Sequence, residues 1–167
     1  MSAADLGLFT QALDPPMVVV TAAVDGERGG CLVGFHSQAS IEPTRYVVWL
    51  SELNHTHEIA GRAELFVVHL LSSEDHEIAR LFGGVTGDDT DKLARCRWHE
   101  GDNGEVILDD LPHRFTGRPV ERIGGVGDHT GVVLEPIAVD VGPVRGWQPL
   151  RYDDVRDVHA GHPPGDR

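Results

Sequence analysis

Histidine is the side chain whose number and placement first suggest chemistry in this sequence. The 167 residues include ten histidines, and His55 and His57 stand two positions apart. Imidazole is a common zinc ligand, but neither HExxH nor a comparable ligand spacing occurs, so we predict no metal site. His129 follows Asp128 after a glycine-rich connection over residues 124–127. From the residues alone, a histidine in such a connection is more often structural or exposed than catalytic.

The glycines, serines and cysteines form none of the standard phosphate-binding, nucleophile or disulfide patterns. Gly29, Gly30 and Gly34 make neither a Walker loop nor a GxGxxG turn into a helix. No GxSxG nucleophile elbow is present. Cys31 and Cys96 form no CxxC pair and lack the spacing of a zinc site. The sequence therefore argues against an NTPase, a Rossmann dehydrogenase and a serine hydrolase.

Charge and composition limit the partners. The chain has 27 acidic and 14 basic residues, for a formal net charge of −13. A field of this sign repels nucleic acid and anionic membranes, so we expect neither as a partner. No apolar run approaches the ~18 residues of a membrane span, and residues 1–5 lack a signal-peptide pattern. We expect a cytoplasmic protein in a reducing compartment.

Apolar periodicity indicates the strands and the first helix that must position these groups. Helical spacing of Leu6, Phe9 and Leu13 predicts a helix that stops before the prolines at 15–16. Two β-prone runs joined by the turn dipeptide Asp25-Gly26 are typical of a hairpin. The predicted strands cover residues 17–24, 29–35, 46–51, 65–71, 114–123 and 130–141.

Three shorter helical segments are predicted between these strands. A short helix is expected over residues 57–62, with Thr56 able to cap it. Ser72 and Asp75 have the spacing of a capping box and predict a helix that ends near Gly83. One or two further helical turns are expected over residues 88–96.

Together these elements predict a single domain. Six or seven strands with short helices indicate a mainly β (α+β) fold, a β-barrel with helical additions. We place this domain at residues 1–152. Residues 153–167 are polar and rich in proline and glycine, which predicts a flexible acidic C-terminal tail.

Several short segments between Pro16 and Val141 resemble, in their order, the flavin reductase-like, FMN-binding family, which includes the small reductases of two-component monooxygenases. GCLVGFHSQASIEP at residues 30–43 is similar to the family's small-polar loop and its Ser-hydrophobic-Asp-Pro turn. The strand YVVWL at 46–50 continues this stretch, and the other matching segments are HT at 55–56, LFVVHLL at 65–71, EIARLFG at 77–83, DKL at 91–93 and GDHT at 127–130. Each segment alone is a weak signal, whereas six in order are strong.

The resemblance implies an FMN-binding split β-barrel that works as a homodimer, with FMN or FAD as cofactor and NADH or NADPH as co-substrate. His129 and Asp128 would be catalytic, with His129 over the ring face where nicotinamide docks. Hydroxyls and backbone N–H groups would bind the phosphate, and an apolar loop would face the ring. The cofactor-binding residues it implies are Leu32, Val33, Gly34, Phe35, His36, Ser37, Gln38, Ser40, His55, Thr56 and Lys92.

The function it implies is an NAD(P)H-dependent flavin reductase, an oxidoreductase that could supply reduced flavin to a partner monooxygenase. Two departures from the family pattern bear on this. Glu52 stands where relatives often carry a basic residue, and residues 32–35 replace a hydroxyl-rich run. Two alternatives stay open: a flavin-binding or electron-transfer protein without turnover, and a split barrel that uses a deazaflavin.

Overall fold

The computed structural model describes residues 3–84 and 91–158. Nine strands are found in these residues: β1 Val18–Val24, β2 Glu27–Val33, β3 His36–Ile41, β4 Thr44–Ser51, β5 Phe66–Leu70, β6 Trp98–Glu100, β7 Val106–Leu108, β8 Arg114–Ile123 and β9 His129–Asp140. The described helices are α1 Ala3–Leu13, α2 His55–Ala60 and α3 His76–Gly84, with 3₁₀ helices at Lys92–Arg95 and Tyr152–Val155. The predicted class, mainly β with short helices, is confirmed.

Seven strands form one sheet in the order β2-β1-β5-β8-β9-β4-β3, and β6 and β7 form a separate hairpin. Every neighbouring pair of the large sheet is antiparallel. The edge strands β2 and β3 are joined by Gly34 and Phe35 alone, and two residues span less than about 11 Å. The sheet must therefore curl until its edges approach each other at this point, but it does not close.

The first hairpin is confirmed, and its turn shows why these residues suit it. Asp25 has a φ of 52° and Gly26 a φ of 81°. A two-residue turn with both φ values positive matches the twist of antiparallel strands, and aspartate followed by glycine is a favoured pair for it. Strand β8 has the predicted bounds, and β9 begins one residue earlier than predicted, at His129.

Two helices begin at residues other than the predicted ones. Helix α2 begins at His55, because Asn54 has the extended conformation of an N-cap, with φ −81° and ψ 135°. Thr56 lies inside the first turn and is buried, so it does not cap the helix. The carboxylate of Asp75 accepts a bond from the backbone N–H of Ser72 at 2.7 Å. That pair closes a turn in front of α3, which begins at His76.

The segment predicted over residues 88–96 is partly described. Residues 88–90 lie outside the described residues, and Lys92–Arg95 forms a 3₁₀ helix. Its N-cap is Asp91, whose carboxylate accepts a hydrogen bond from the N–H of Leu93 at 3.0 Å.

Both faces of β1 are buried, which divides the core into two clusters. Val18 and Val20 belong to the first, together with residues of β2, β4, β5, β9 and α2. Val19 belongs to the second, which packs against α3, β7 and the C-terminal segment. Successive side chains of a strand point to opposite faces, so a continuous apolar run supplies both clusters.

The C-terminal segment takes part in the second cluster. Leu150 is 0% exposed and Val155 is 6% exposed. Val155 belongs to the predicted tail, so at least one residue of residues 153–158 packs into the core. Residues 159–167 lie outside the described residues. The domain boundary after residue 152 stays a prediction. Among the residues that are described, no helix has the length and apolar character needed to cross a membrane.

Candidate functional site

A cavity of about 300 Å³ lies where the chain crosses from β2 to β3. This volume is at the lower end of the range for small-molecule sites. Its lining has two main sides. The strand wall consists of Leu32, Val33, Gly34, Phe35, Trp49, Ser51 and His129, and the terminal wall of Thr10, Pro15, Met17, Tyr152, Val155 and Val158. Asn54, Phe82 and Gly83 complete the lining.

Strand register brings the distant parts of the strand wall together. Trp49 pairs with Gly131, and Ser51 pairs with His129, where β4 meets β9. Directly paired residues, and residues two apart on one strand, share a face of the sheet. Trp49, Ser51 and His129 therefore point to one face. The structure thus places the predicted residues Leu32, Val33, Gly34, Phe35 and His129 around one cavity.

His129 is oriented by its neighbours. Its Nδ1 lies 2.7 Å from Oδ1 of Asp128. An ionised carboxylate only accepts hydrogen bonds, so Nδ1–H donates and Nε2 is left on the far side of the ring. The ring of Phe35 is 5.2 Å from that of His129 between centroids, at an angle of 52°. Asp128 is largely exposed, so the pair sits at the edge of the cavity.

A short hydrogen-bonded chain is built on Thr130, whose side chain points to the sheet face opposite that of His129. The hydroxyl of Thr130 donates to Oε1 of Glu52 at 3.2 Å. Because a hydroxyl has one proton to give, Nε2 of His57 is the donor in its 3.0 Å contact with Thr130. The backbone N–H of Glu52 also donates to the carbonyl of Asp128 at 3.0 Å. These bonds join the loop after β4 to the connection that carries His129.

The four predicted residues on β3 do not line this cavity. The ring of His36 is occupied inside the protein, because Nε2 donates to the Pro16 carbonyl at 2.7 Å and Nδ1 accepts from the Tyr46 hydroxyl at 2.6 Å. Burial lowers the pKa of His36, although the bond to Pro16 opposes this effect. Ser37, Gln38 and Ser40 lie on the edge strand β3, where Ser37 and Gln38 are exposed and Ser40 is half-buried.

The predicted residues of α2 lie behind the cavity rather than in it. Thr56 is 3% exposed and forms a side-chain hydrogen bond with Cys31. Burial raises the pKa of the Cys31 thiol to about 11, with the charge of Lys92 and the bond to Thr56 acting in the opposite direction. His55 is half-buried, with Nδ1 at 3.8 Å from the carboxylate of Glu58. Asn54 of the same segment does line the cavity.

Lys92 is buried and holds two parts of the backbone together. Its ammonium donates to the carbonyls of Gly30, at 3.2 Å, and Phe82, at 3.1 Å. Burial lowers its pKa, and the Cys31 thiolate would raise it. Lys92 does not line the cavity, but it ties β2 to α3 directly behind Phe82, which does. Its predicted contact with cofactor charge stays a prediction.

Sequence reasoning missed Trp49 and the whole terminal wall. Trp49 lies inside a predicted strand. Its position in the cavity depends on its pairing with Gly131 on β9, and the sequence does not show that pairing. Tyr152 and Val155 fall at the predicted domain boundary and in the predicted tail. No group of three or more His, Cys, Asp or Glu residues in the described part of the chain is arranged to hold a metal ion.

Comparison with known proteins gives one family match. The family described as "Flavin reductase like domain" matches residues 11–160. A curated relative, the reductase component of the FADH(2)-dependent resorcinol hydroxylase of Rhizobium sp., is 23% identical over 144 residues, which cover 84% of this chain and 77% of the relative.

Solved structures share the fold at low identity. An oxidoreductase structure from Sinorhizobium meliloti superposes with a TM-score of 0.79 and 22% identity, covering 91% of this chain and 51% of the other. The chain thus spans about half the length of that protein. The FMN-binding protein of Thermus thermophilus gives 0.69 and 22%, covering 75% of this chain and 69% of the other. The NADH:FAD oxidoreductase SgcE6 of Streptomyces globisporus gives 0.74 and 17%, with 89% of each chain covered. These matches confirm the predicted split-barrel fold.

Proposed function

Because the chain belongs to the flavin reductase-like family, we propose that it is a flavin reductase that transfers hydride from NADH or NADPH to FMN or FAD. The observation that carries this proposal is the convergence of residues 32–35 and His129 on one cavity. These segments are about 95 positions apart in the sequence, and the family resemblance had assigned both to the flavin site. The similar reductase component and the NADH:FAD oxidoreductase named above support the same reaction class.

The residues present fit the ring of a flavin. Leu32, Val33 and Phe35 supply an apolar surface, and Gly34 lets the backbone run close to a ligand. A Cβ added to Gly34 would lie 3.3 Å from the sulfur of Met17, so a side chain here would crowd that residue of the terminal wall. When bound, the flavin would supply the ring that accepts hydride, and the protein would supply orientation and exclusion of water.

The histidine and its carboxylate partner have the role of positioning a co-substrate. Asp128 holds His129 through Nδ1, so Nε2 presents a fixed polar atom at the edge of the cavity. Phe35 packs against the same imidazole and limits its rotation. We expect His129 to contact the nicotinamide side of the reacting pair and Asp128 to fix the orientation of His129.

The phosphate groups would need partners outside the cavity lining. No lysine or arginine is among the described residues that line the cavity. We propose that the hydroxyls of Ser37 and Ser40, the amide of Gln38 and the backbone of the segment at His55 and Thr56 contact the phosphate tail, and that Lys92 contributes positive charge from the interior, where its ammonium is bound by two carbonyls. Supply of reduced flavin to a separate monooxygenase is part of the same proposal.

The proposed homodimer is supported by apolar residues that one copy leaves uncovered. Leu8, Phe9 and Leu13 of α1 are 69%, 61% and 60% exposed. Exposed apolar side chains clustered on one element mark an interaction surface. A second copy that covers α1 would lie close to the cavity, because Thr10 of this helix lines it.

The test is an anaerobic absorbance spectrum of the protein with FMN or FAD, followed after NADH or NADPH is added. We expect the oxidised flavin band to bleach with at least one nicotinamide. His129→Ala should lower kcat/KM about 10–100-fold, since loss of orientation can cost this much. His99→Ala is the matched control, because Nδ1 of His99 contacts Asp109 at 2.6 Å on β6, away from the cavity.

Each alternative predicts a different spectrum. Bound flavin that stays oxidised with both nicotinamides would overturn the reductase proposal and leave a flavin-binding protein without turnover. Tight binding of a deazaflavin with no binding of FMN or FAD would assign a different cofactor. Equal loss of activity in His129→Ala and His99→Ala would remove the role proposed for His129.

A further inference from the structure

Trp49 lies in a strand that resembles the family, but the resemblance assigns no role to its indole. Trp49 is one of the two strand-wall residues on β4, and its backbone N–H donates to the carbonyl of Phe35 at 2.9 Å. This bond ties Trp49 to the crossing between β2 and β3, where the cavity opens. The side chain itself lines the cavity.

Gly131 explains where the indole lies. A Cβ built on Gly131 would be 2.8 Å, 3.0 Å and 3.1 Å from the Trp49 atoms Cζ3, Cη2 and Cε3. These three atoms are consecutive in the six-membered ring, so that edge of the indole covers the backbone of Gly131. Separations of this size exclude any side chain at position 131 unless the indole moves. Strand β9 therefore needs glycine here for Trp49 to keep its place.

The same register puts the indole next to His129. Gly131 and His129 are two residues apart on β9, so they share a face, and Ser51 pairs with His129 as Trp49 pairs with Gly131. Phe35 packs against His129 from the crossing. Trp49, His129 and Phe35 thus form an aromatic surface on the cavity side of the sheet. A rigid, mostly apolar surface of this kind suits a planar ring more than a flexible chain.

We propose that Trp49 is a ligand-binding residue of this site, whose indole packs against the planar ring system of the bound cofactor, and that Gly131 is the residue that positions it. The inference rests on the proposed function, because a flavin ring is the ligand it needs. The indole fills the space over Gly131 on the cavity side of β9, so its position limits the size and shape of the ring systems that can bind. Gly131 contributes through the absence of a side chain.

The test is a titration of the intact protein with FMN, in which affinity and the emission of bound flavin are both measured. An indole in contact with excited flavin quenches the flavin fluorescence by electron transfer. Bound FMN should therefore be almost non-fluorescent in the unmodified protein. Trp49→Leu should weaken binding about tenfold and restore emission, because one aromatic stacking contact is lost. Trp49→Phe should restore emission with only a small loss of affinity, since an aromatic ring is kept.

Substitutions at two glycines give a second test of the proposal and its control. Gly131→Ala should weaken FMN binding about as much as Trp49→Leu and should also restore emission, because the indole is displaced. The double variant should be no weaker than Trp49→Leu, since both changes act through one contact. Gly124→Ala is the matched control, because a Cβ there meets nothing within 4 Å. It should bind FMN as the unmodified protein does.

The outcomes separate this inference from the proposed function. If NAD(P)H reduces bound flavin, but Trp49→Leu binds FMN with normal affinity and its bound FMN stays non-fluorescent, the inference is wrong and the function stands. If flavin binds and Trp49→Leu weakens it, but neither nicotinamide reduces it, the inference stands and the function is wrong. If FMN and FAD do not bind at all, both are wrong. Wild-type binding by Gly131→Ala would remove the role of Gly131.

Discussion

The strand wall and the terminal wall line one cavity but are built by different kinds of contact. Strands β4 and β9, which carry Trp49 and His129, pair through a continuous register from Tyr46↔Leu134 to Ser51↔His129. The terminal wall has a single bridge between the chain ends, Pro16↔Arg151. The geometry of the strand wall is fixed by the pairing of a whole sheet. The terminal wall depends on a few bonds between residues far apart in the sequence.

Those few bonds are nevertheless well defined. The N–H of Met17 donates to the Leu150 carbonyl at 2.8 Å, and the N–H of Tyr152 donates to Pro15 at 3.0 Å. The carboxylate of Asp14 accepts from the N–H of Asp153 at 2.9 Å. A site can therefore combine a rigid side with one that opens more easily, since local stability follows the density of buried contacts.

The largest expected effect tests whether the terminal wall is nevertheless part of the cooperative core. Leu150 and Leu50 are both 0% exposed, the first beside the terminal wall and the second on β4. Leu150→Ala and Leu50→Ala should each lower the free energy of unfolding by about 2–5 kcal/mol, because each leaves a cavity in a buried cluster. Urea denaturation measures both. A loss below about 1 kcal/mol for Leu150→Ala alone would make the terminal wall a peripheral attachment.

A second prediction uses a buried histidine on the strand side. His69 is 0% exposed, its Nδ1 donates to the Val19 carbonyl at 3.2 Å, and its Nε2 accepts from the N–H of Leu108 at 3.1 Å. Burial lowers its pKa to about 3. The unfolded chain therefore binds the extra proton between about pH 6.5 and pH 3, and stability present above that window is lost as pH falls.

The expected size is about 2 kcal/mol of unfolding free energy lost between pH 7 and pH 5 through this residue. Urea denaturation at the two pH values measures it. His69→Gln, which keeps a donor and an acceptor but cannot titrate in this range, should lose less over the same interval. An equal loss in the variant and the unmodified protein would show that His69 is not the source.

The smallest expected effect sharpens the contrast within the terminal wall. Asp14 and Asp25 both have positive φ, 44° and 52°, so alanine strains the backbone at either position. Only Asp14 also accepts the bond from Asp153. Asp14→Ala should therefore lower local stability by about 1 kcal/mol more than Asp25→Ala does, because it also removes this hydrogen bond. Hydrogen exchange should show faster exchange at the Asp153 amide, with the amides of β4 and β9 unchanged.

Asp25→Ala is the control for this comparison, because it shares the strain and lies in the β1–β2 turn. It should leave the Asp153 amide as protected as in the unmodified protein. If both variants expose that amide equally, the contact between Asp14 and Asp153 does not hold the terminal wall.

Much of the fold could be predicted because its signals are local. The β-rich composition of residues 114–123 and the Asp25-Gly26 turn are set by neighbours in sequence, and both predictions are confirmed. The family assignment is also confirmed, since the family match spans residues 11–160. The starts of α2 and α3 were predicted less well. Several polar residues precede each helix, and only the backbone conformation shows which of them is the cap.

Less of the candidate site could be predicted. Residues 32–35 and His129 were proposed from resemblance and lie together, although their roles stay predictions. Lys92 was proposed for its charge, but its ammonium is bound by two backbone carbonyls in the interior. A lysine in a polar segment gives no sign of burial, because burial depends on which carbonyls another part of the chain brings to it.

Six of the nine strands, the Asp25-Gly26 turn and the order of the family segments could be predicted from the sequence alone, because each depends on residues close together in the chain. Only the tertiary structure decided that Trp49 lies over Gly131, that His129 faces the crossing of residues 34–35, and that the two chain ends complete the cavity. Those features depend on strand register and on contacts across more than 80 positions. A shift of one residue in register would turn Trp49 to the opposite face.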